Sequence, residues 1–411
     1  MIKKDLILIK EGLTEFYIHN VDKELVPSKA MNVFYNKRME INREISILAI
    51  NTYRDLYKQD ELIIIDSMAA SGISSIRLLR ECKNIKRIFI NDINPIAVKL
   101  IKKNLKLNNF NKTPIQIEVS KKDANLLFSE IANSTCIPSR GRQKKPNVIS
   151  IDPFGTPNLY IDSAFKSIQK VNGLMCITAT DTAVLFGVRP NACIRKYLAK
   201  PLHNEYCKEI GARILIYFVS RIANLNKMGI IPLLTFYSGH FLRFFCLSIK
   251  NKKTISKFFK NYGYIIHCSN CGYRSAFKDN ILILTKKCPV CKKKEKLDYA
   301  GPLWIDKIHD INFIKELQYL NKNSKFPNKS RIEKLLAMAI EEVNMPVSYY
   351  NIHKLCQKLQ LASVPKIKDI LRLIKEKGYR GSRTHFDFLS IKSDMDLNSI
   401  KNILVEMQII I

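Results

Sequence analysis

Residues 148–157 read VISIDPFGTP. Four mostly apolar, β-branched positions of strand character run straight into Asp152, Pro153 and Phe154. The proline fixes φ at about −65° and removes a donor, so the loop behind the acid keeps a set shape. A carboxylate held beside a ring suits one chemistry in particular. The exocyclic amine of a nucleobase is a poor nucleophile because its lone pair is delocalised into the ring. A carboxylate within hydrogen-bond reach can hold the N–H, steer the lone pair and take up the proton. Phe154 can stack on a base drawn out of its helix, a contact worth roughly 1–3 kcal/mol. An Asp-Pro pair alone is an ordinary strand-ending turn, so its setting decides.

Upstream residues supply that setting. DSMAASGISSIRLLRE begins at Asp66, where an apolar run ends. A dinucleotide-binding turn carries three glycines, partly so that backbone can approach a pyrophosphate. Only Gly72 is present here, between small residues, which argues against NAD and for a ligand without phosphates. Twenty residues beyond Gly72, Asp92 closes the next strand in FINDINP, where an acid can accept both ribose hydroxyls. Asp123-Ala124 follows a third strand, at the position that would flank an adenine ring. Asp123 would serve equally as a plain N-cap for ANLLF. In order and at strand ends, these positions point to S-adenosylmethionine.

A third set has metal-ligand spacing. HCSNCGYRS and KKCPVCKKK place Cys268-x₂-Cys271 and Cys288-x₂-Cys291 with sixteen residues between them. Two such knuckles supply four thiolates to a tetrahedral zinc ion and leave no open position, which makes the role structural. Lysines 286, 287 and 292–294 surround the knuckles and favour thiolates. Seven of the eleven cysteines are scattered; Cys176, Cys193, Cys207 and Cys246 lie among apolar neighbours and read as small core residues.

The elements that must position these groups alternate in type. LIIIDS, RIFINDI, IQIEVSKKDA and VISIDPFG read as strands; SGISSIRLLREC, PIAVKLIKKNLKLNN and NLYIDSAFKSIQK read as helices. That alternation implies an α/β fold, a Rossmann-like parallel sheet covered on both faces. Further strands are expected at LMCITATDT, IIPLLTFYS and RFFCLSIK, and a polar basic loop at SRGRQKKP. The expected division is a catalytic domain over 1–262, with an N-terminal extension, and a smaller α+β domain over 263–411. The second would contain the Cys₄ module (263–301), with Trp304 anchoring it to the main body, and winged-helix-like helices (329–411). Within it, Ser363 with Pro365 marks a helix start and Gly378 a stop.

Composition bounds the partners. Of 411 residues, 68 are Lys or Arg and 36 are Asp or Glu, a formal charge of +32. Such an excess repels itself unless it meets a polyanion, and it is spread along the chain as a broad binding face would require. A Lys-, Ile- and Asn-rich proteome would raise the same count. No apolar run is long enough to span a membrane, and the N-terminal run is too short for a signal peptide. The cysteines are therefore read as reduced and the protein as cytoplasmic, and nothing calls for an obligate protein partner.

With these residues in place, the chain resembles the archaeal and eukaryotic tRNA guanine-26 N(2)-dimethyltransferases over nearly its whole length. The similarity is carried by IKEGLTEFYI, VFYNKRMEINRE, DSMAASGISSIR, NDINPIAV, DANLLF, IDPFGTPNLYIDSAF, GLMCITATDTAVLFG, CIRKYLAKPLHNEYCKEIGARIL, AGPLW and GYRGSRTHFDFLSIKSD. It implies transfer of one and then a second methyl from S-adenosylmethionine to the guanine amine at tRNA position 26. It further implies that Arg38, Arg77, Asp92, Asp123 and Ala124 contact the cofactor, with Gly72 in the loop, and that Asp152 is the catalytic acid. The chain departs from the family where Lys37 replaces a frequent proline, Ser74 a frequent arginine, and Gly239 an acid before His240.

The residues alone reach a nucleobase-amine methyltransferase. Guanine, tRNA and position 26 come from the resemblance. Two alternatives stay open at this point: a DNA adenine-amine methyltransferase, although Phe154-Gly155 lacks the second proline common there, and an inactive zinc-bearing RNA-binding protein.

Overall fold

The structure, a computed structural model, describes residues 6–19, 31–134, 144–251, 255, 257–278, 287–293 and 296–409. Residues 139–143 of SRGRQKKP, together with Lys286 and Lys294, lie outside them.

An antiparallel hairpin, β1 (Leu6–Glu11) and β2 (Thr14–His19), opens the described chain, followed by helix α1 (Glu40–Leu56). Then come β3 (Leu62–Asp66), α2 (Ile73–Glu81), β4 (Ile85–Asn91), α3 (Pro95–Leu107), β5 (Gln116–Ser120), α4 (Ala124–Ser134), β6 (Val148–Ile151), α5 (Ile161–Ser167) and β7 (Leu174–Ala179). Three helices follow, α6 (Thr182–Leu185), α7 (Pro190–Tyr197) and α8 (Cys207–Leu225), and then the hairpin β8 (Gly229–Ser238) and β9 (Phe241–Ile249). The seven strands form one sheet in the order β5-β4-β3-β6-β7-β9-β8, parallel up to β7 and antiparallel beyond it.

The strands read as unbroken apolar runs because both faces are covered. Successive side chains alternate between faces. Ile63, Ile65, Ile149, Ile151, Met175 and Ile177 enter one core with α4, α5 and α8. Leu62, Ile64, Val148, Leu174 and Cys176 enter the other with α1 and α2.

The C-terminal part begins with a three-stranded antiparallel sheet, β10 (Tyr262–Cys268), β11 (Arg274–Phe277) and β12 (Leu297–Trp304). The division expected at 262/263 therefore falls inside β10. Trp304 is buried, and its Nε1 donates to Lys307 O at 2.9 Å. Arg213 of α8 donates to Trp304 O at 3.0 Å and Asp306 O at 2.8 Å, which ties this sheet to the main body. Helices α9 (Ile311–Lys322) and α10 (Lys329–Glu342) then pack into the α1 core.

Last come β13 (Tyr350–Asn351), α11 (Ile352–Lys358), α12 (Ile367–Glu376), β14 (Gly381–Arg383), β15 (Ser390–Ser393) and α13 (Leu397–Ile409), around a separate small core. Ser363 does not cap α12, contrary to expectation. The cap position falls at Lys366, and Ser363 instead bonds Gln408 of α13. Gly378 does end α12, at φ +82°.

Candidate functional site at the carboxyl edge of the sheet

In an open α/β sheet, ligands bind outside the carboxyl ends of the strands. Asp66, Asp92 and Asp152 all stand there. Ala70 and Gly72 in the loop after β3 take the left-handed backbone, at φ +49° and +79°. Asn104 of α3 pins that loop, donating to Ser71 O at 3.0 Å. Asp92 accepts the Ala70 N–H at 2.8 Å on one oxygen and the Asn94 N–H at 2.9 Å on the other. Its carboxylate faces the loop, with lone pairs left for a hydroxyl. Asn91, which sequence reasoning passed over, binds Ser67 O, Lys122 O and the Ser120 hydroxyl, and so brackets the three strand ends. Asp123 is exposed, and its Oδ1 accepts the Asn125 N–H at 2.9 Å, which makes it an N-cap of α4; Ala124 is buried beside it. Burial pushes the Asp66 carboxyl up to about 6, against a hydrogen bond of 2.6 Å from Ser75.

Asp152 follows β6, next to that loop, because the Ser67 N–H and hydroxyl both bond Ser150 O. The residue is partly exposed, and the Thr178 hydroxyl hydrogen-bonds its carboxylate. Burial raises its carboxyl above the usual range, while the Arg243 guanidinium and the Thr178 hydroxyl pull it down. Pro153 is buried. Beyond it, the Gly155 N–H donates to Thr180 Oγ1 at 2.7 Å, which fixes the turn.

Phe154 points outward, about half exposed, and Phe34 meets it edge to face with ring centroids 4.7 Å apart. Sequence reasoning missed Phe34, although it belongs to VFYNKRM, from which only Arg38 was taken. Arg38 is exposed in a short 3₁₀ turn whose cap, Asn36, accepts the Arg38 N–H at 2.9 Å. Asn36 also meets His240 Nε2 at 3.2 Å. An amide NH₂ only donates, so Nε2 accepts and the imidazole proton sits on Nδ1. Burial, helped by Arg38, lowers the His240 pKa, which keeps the ring neutral. His240 thus lies within electrostatic reach of the Asp152 carboxylate, Arg38 acts on His240 in turn, and Phe34 packs on the Phe154 ring two residues beyond the acid.

Arg77 does not join them, and the expectation of a cofactor contact is corrected. The side chain is fully buried behind the loop. It donates to Glu11 at 3.0 Å and to Glu81 at 2.8 and 3.0 Å. Glu11 also takes both Arg43 nitrogens at 2.6 Å. The N-terminal hairpin is clamped to α1 and α2 through this one carboxylate. Gly12, at φ +56°, is required there, since a Cβ would lie 2.6 Å from Arg77 Nη2.

The four cysteine thiols of the knuckles also converge. Cys268 and Cys291 sulfurs are 3.6 Å apart, as are those of Cys271 and Cys288, and all four lie within 4.8 Å of one another. A tetrahedron with metal–sulfur bonds of about 2.3 Å has edges of about 3.8 Å, so the cage fits a zinc-sized ion. Among the described residues, a second cluster of ligand-type residues, His309, Glu342 and His385, fits a metal less well. Thr235 N–H donates to His309 Nδ1, so the His309 proton sits on Nε2, the atom that would have to ligate, and the Lys392 ammonium lies 3.6 Å from Glu342.

The sheet, the glycine-containing loop, the acids at successive strand ends and the Asp-Pro-Phe turn define a Rossmann-like methyltransferase. A model of the N2,N2-dimethylguanosine tRNA methyltransferase family matches residues 15–405, and the chain belongs to that family. It is 37% identical to a tRNA (guanine(26)-N(2))-dimethyltransferase of Methanosphaera stadtmanae over 98% of both chains. It is 36% identical to one of Methanobrevibacter smithii over 96% of both. Trm1 from Pyrococcus horikoshii, solved in complex with S-adenosyl-L-methionine, superposes with a TM-score of 0.81 and 28% identity, over 97% of this chain and 100% of that one.

Proposed function

We propose that the chain dimethylates the exocyclic amine of guanine 26 in tRNA, using S-adenosylmethionine. The observation that carries this reading is the partly exposed Asp152 carboxylate, held by the Thr178 hydroxyl at the end of β6, between the loop after β3 and the Phe154–Phe34 pair. The tRNA, the position and the methyl count rest on the relatives.

When bound, S-adenosylmethionine supplies an electrophilic methyl carried on a sulfonium. Asp92 would hold its ribose hydroxyls, Asp123 and Ala124 would flank its adenine, and Arg38 would face its charged end. Asp152 accepts an amine N–H and aims the nitrogen lone pair. For each methyl gained, with the methyl–sulfur bond giving up its electron pair to the departing thioether, the amine would shed one proton, which Asp152 would receive. Two transfers shed two protons, so Asp152 must be returned to its ionised form between them. Phe154 and Phe34 hold the base. Most of the acceleration comes from alignment and from exclusion of water. The Cys₄ cage would hold a structural zinc ion that fixes β10 against the β12 side.

Incubation with labelled cofactor and either tRNA or duplex DNA, followed by mass spectrometry of the nucleosides, tests the reading. Dimethylguanosine from tRNA, absent when position 26 is mutated, is the expected product. Label entering only DNA would overturn it.

A further inference from the structure

Helix α7 stands beside the Asp152 loop and shows two unlike faces. On the inner face Cys193 and Tyr197 are fully buried. That face is bolted to the turn after Phe154. Lys196 O accepts Asn158 Nδ2–H at 2.7 Å, the Thr156 hydroxyl meets the Tyr197 hydroxyl at 3.1 Å, and Tyr197 donates to Asp181 at 2.9 Å. The outer face holds Asn191, Ile194, Arg195 and Leu198, spaced three and four residues apart, with Val188 and Arg189 just before them. All are exposed, the aliphatics heavily: Val188 at 58%, Ile194 at 45% and Leu198 at 53%. Leu159, in the bolted turn itself, is 70% exposed. Neither the Arg189 nor the Arg195 guanidinium has a partner among the described residues. A solvent-facing helix surface is ordinarily polar, and a contiguous apolar stripe marks a contact surface.

We propose that this outer face of α7 docks the RNA strand adjoining the target guanine; the proposal rests on the tRNA reading above. Charge selects the occupant. Two free guanidinium forks in a chain of net charge +32 match phosphates, which they bind bidentately. The aliphatic stripe matches base and ribose faces freed from a helix. A two-fold contact with a second copy would set Arg189 and Arg195 against an identical surface carrying the same cations. RNA seated there presses on the helix whose other side holds the Asp152 loop, so docking and loop position are mechanically joined.

The test measures tRNA affinity across a salt series for the full-length protein and for the Arg189→Ala/Arg195→Ala double variant. Loss of two phosphate contacts should flatten the slope of log affinity against log salt by about 1.5 and weaken binding about tenfold at fixed salt. The activity deficit should lie in the KM for tRNA, with S-adenosylmethionine affinity unmoved. Arg195→Lys should keep the salt slope, since it keeps the charge, and Ile194→Asp should weaken binding further. Unaltered affinity and slope in the double variant, while the parent still methylates tRNA, would overturn the docking face. So would Ile194→Asp splitting a dimer into monomers with tRNA affinity intact. A parent protein that fails to methylate tRNA would defeat the functional reading instead.

Discussion

Arg243 Nη1 donates to Thr178 Oγ1 at 2.6 Å, and the Thr178 hydroxyl stands on the strand between that guanidinium and the Asp152 carboxylate. The pair is buried, and it opposes the burial that raises the Asp152 carboxyl. A base must be ionised to act, so activity should fall on acidification at a higher pH than an exposed aspartate would show. Arg243→Gln removes the cation that lowers the Asp152 carboxyl most and should move that acid limb upward; Thr178→Val should move it in the same direction by less. Single-turnover rates against pH measure both shifts. Asp152→Asn should abolish transfer while S-adenosylmethionine still binds, as calorimetry would register. Turnover that survived the change would remove Asp152 from the reaction.

Phe34 and Phe154 make a second prediction. If both rings hold the base, Phe154→Ala should cost about 1–3 kcal/mol in kcat/KM for tRNA, and Phe34→Ala somewhat less because its ring meets the other by the edge. Phe154→Tyr should retain most of the activity. Cofactor affinity measured alone should be indifferent to all three. A drop in cofactor affinity equal to the drop in kcat/KM would place these rings at the methyl donor rather than at the base.

Glu11 holds two buried guanidinia, so replacing it strands both. Glu11→Ala should destabilise the fold by about 3–5 kcal/mol, read as a lowered denaturant midpoint. The pH dependence has a definite sign. Burial alone would raise the Glu11 carboxyl, but Arg43 and Arg77 outweigh it and hold the carboxyl below the usual range. The stability it confers is complete above the ordinary glutamate pKa of about 4.3 and is lost as pH falls through the lowered value. Acid unfolding of the parent should therefore be steeper below that point than in Glu11→Gln.

The thiol cage makes a fourth prediction. The purified protein should carry one zinc per chain by elemental analysis, and Cys288→Ser should carry none. Chelation should lower the melting temperature and expose four thiols to a colorimetric reagent. A full complement of activity and an unmoved melting temperature in the metal-free protein would remove the structural role.

Local signals were legible in the sequence and long-range ones were not. The strand ends carrying Asp92 and Asp152 announced themselves because each acid adjoins its own apolar run, and the cysteine knuckles because their ligands are neighbours. Arg77 was misplaced because its partner Glu11 lies 66 residues upstream, where nothing in the sequence marks it as a buried carboxylate. His240 meets Asn36 across 204 residues and only the fold brings them together. Ser363 looked like a cap on composition, but the competing bond to Gln408 came from a helix 45 residues further on.

Tyr349 and Phe386, far along the chain, share one apolar core with Ile149 and Ile151, the residues immediately before the Asp-Pro-Phe turn. Heat that loosens either end of that core must loosen the other. The two C-terminal segments that carry these rings therefore act as a keel for the reaction centre, and the protein should lose its chemistry as they come away.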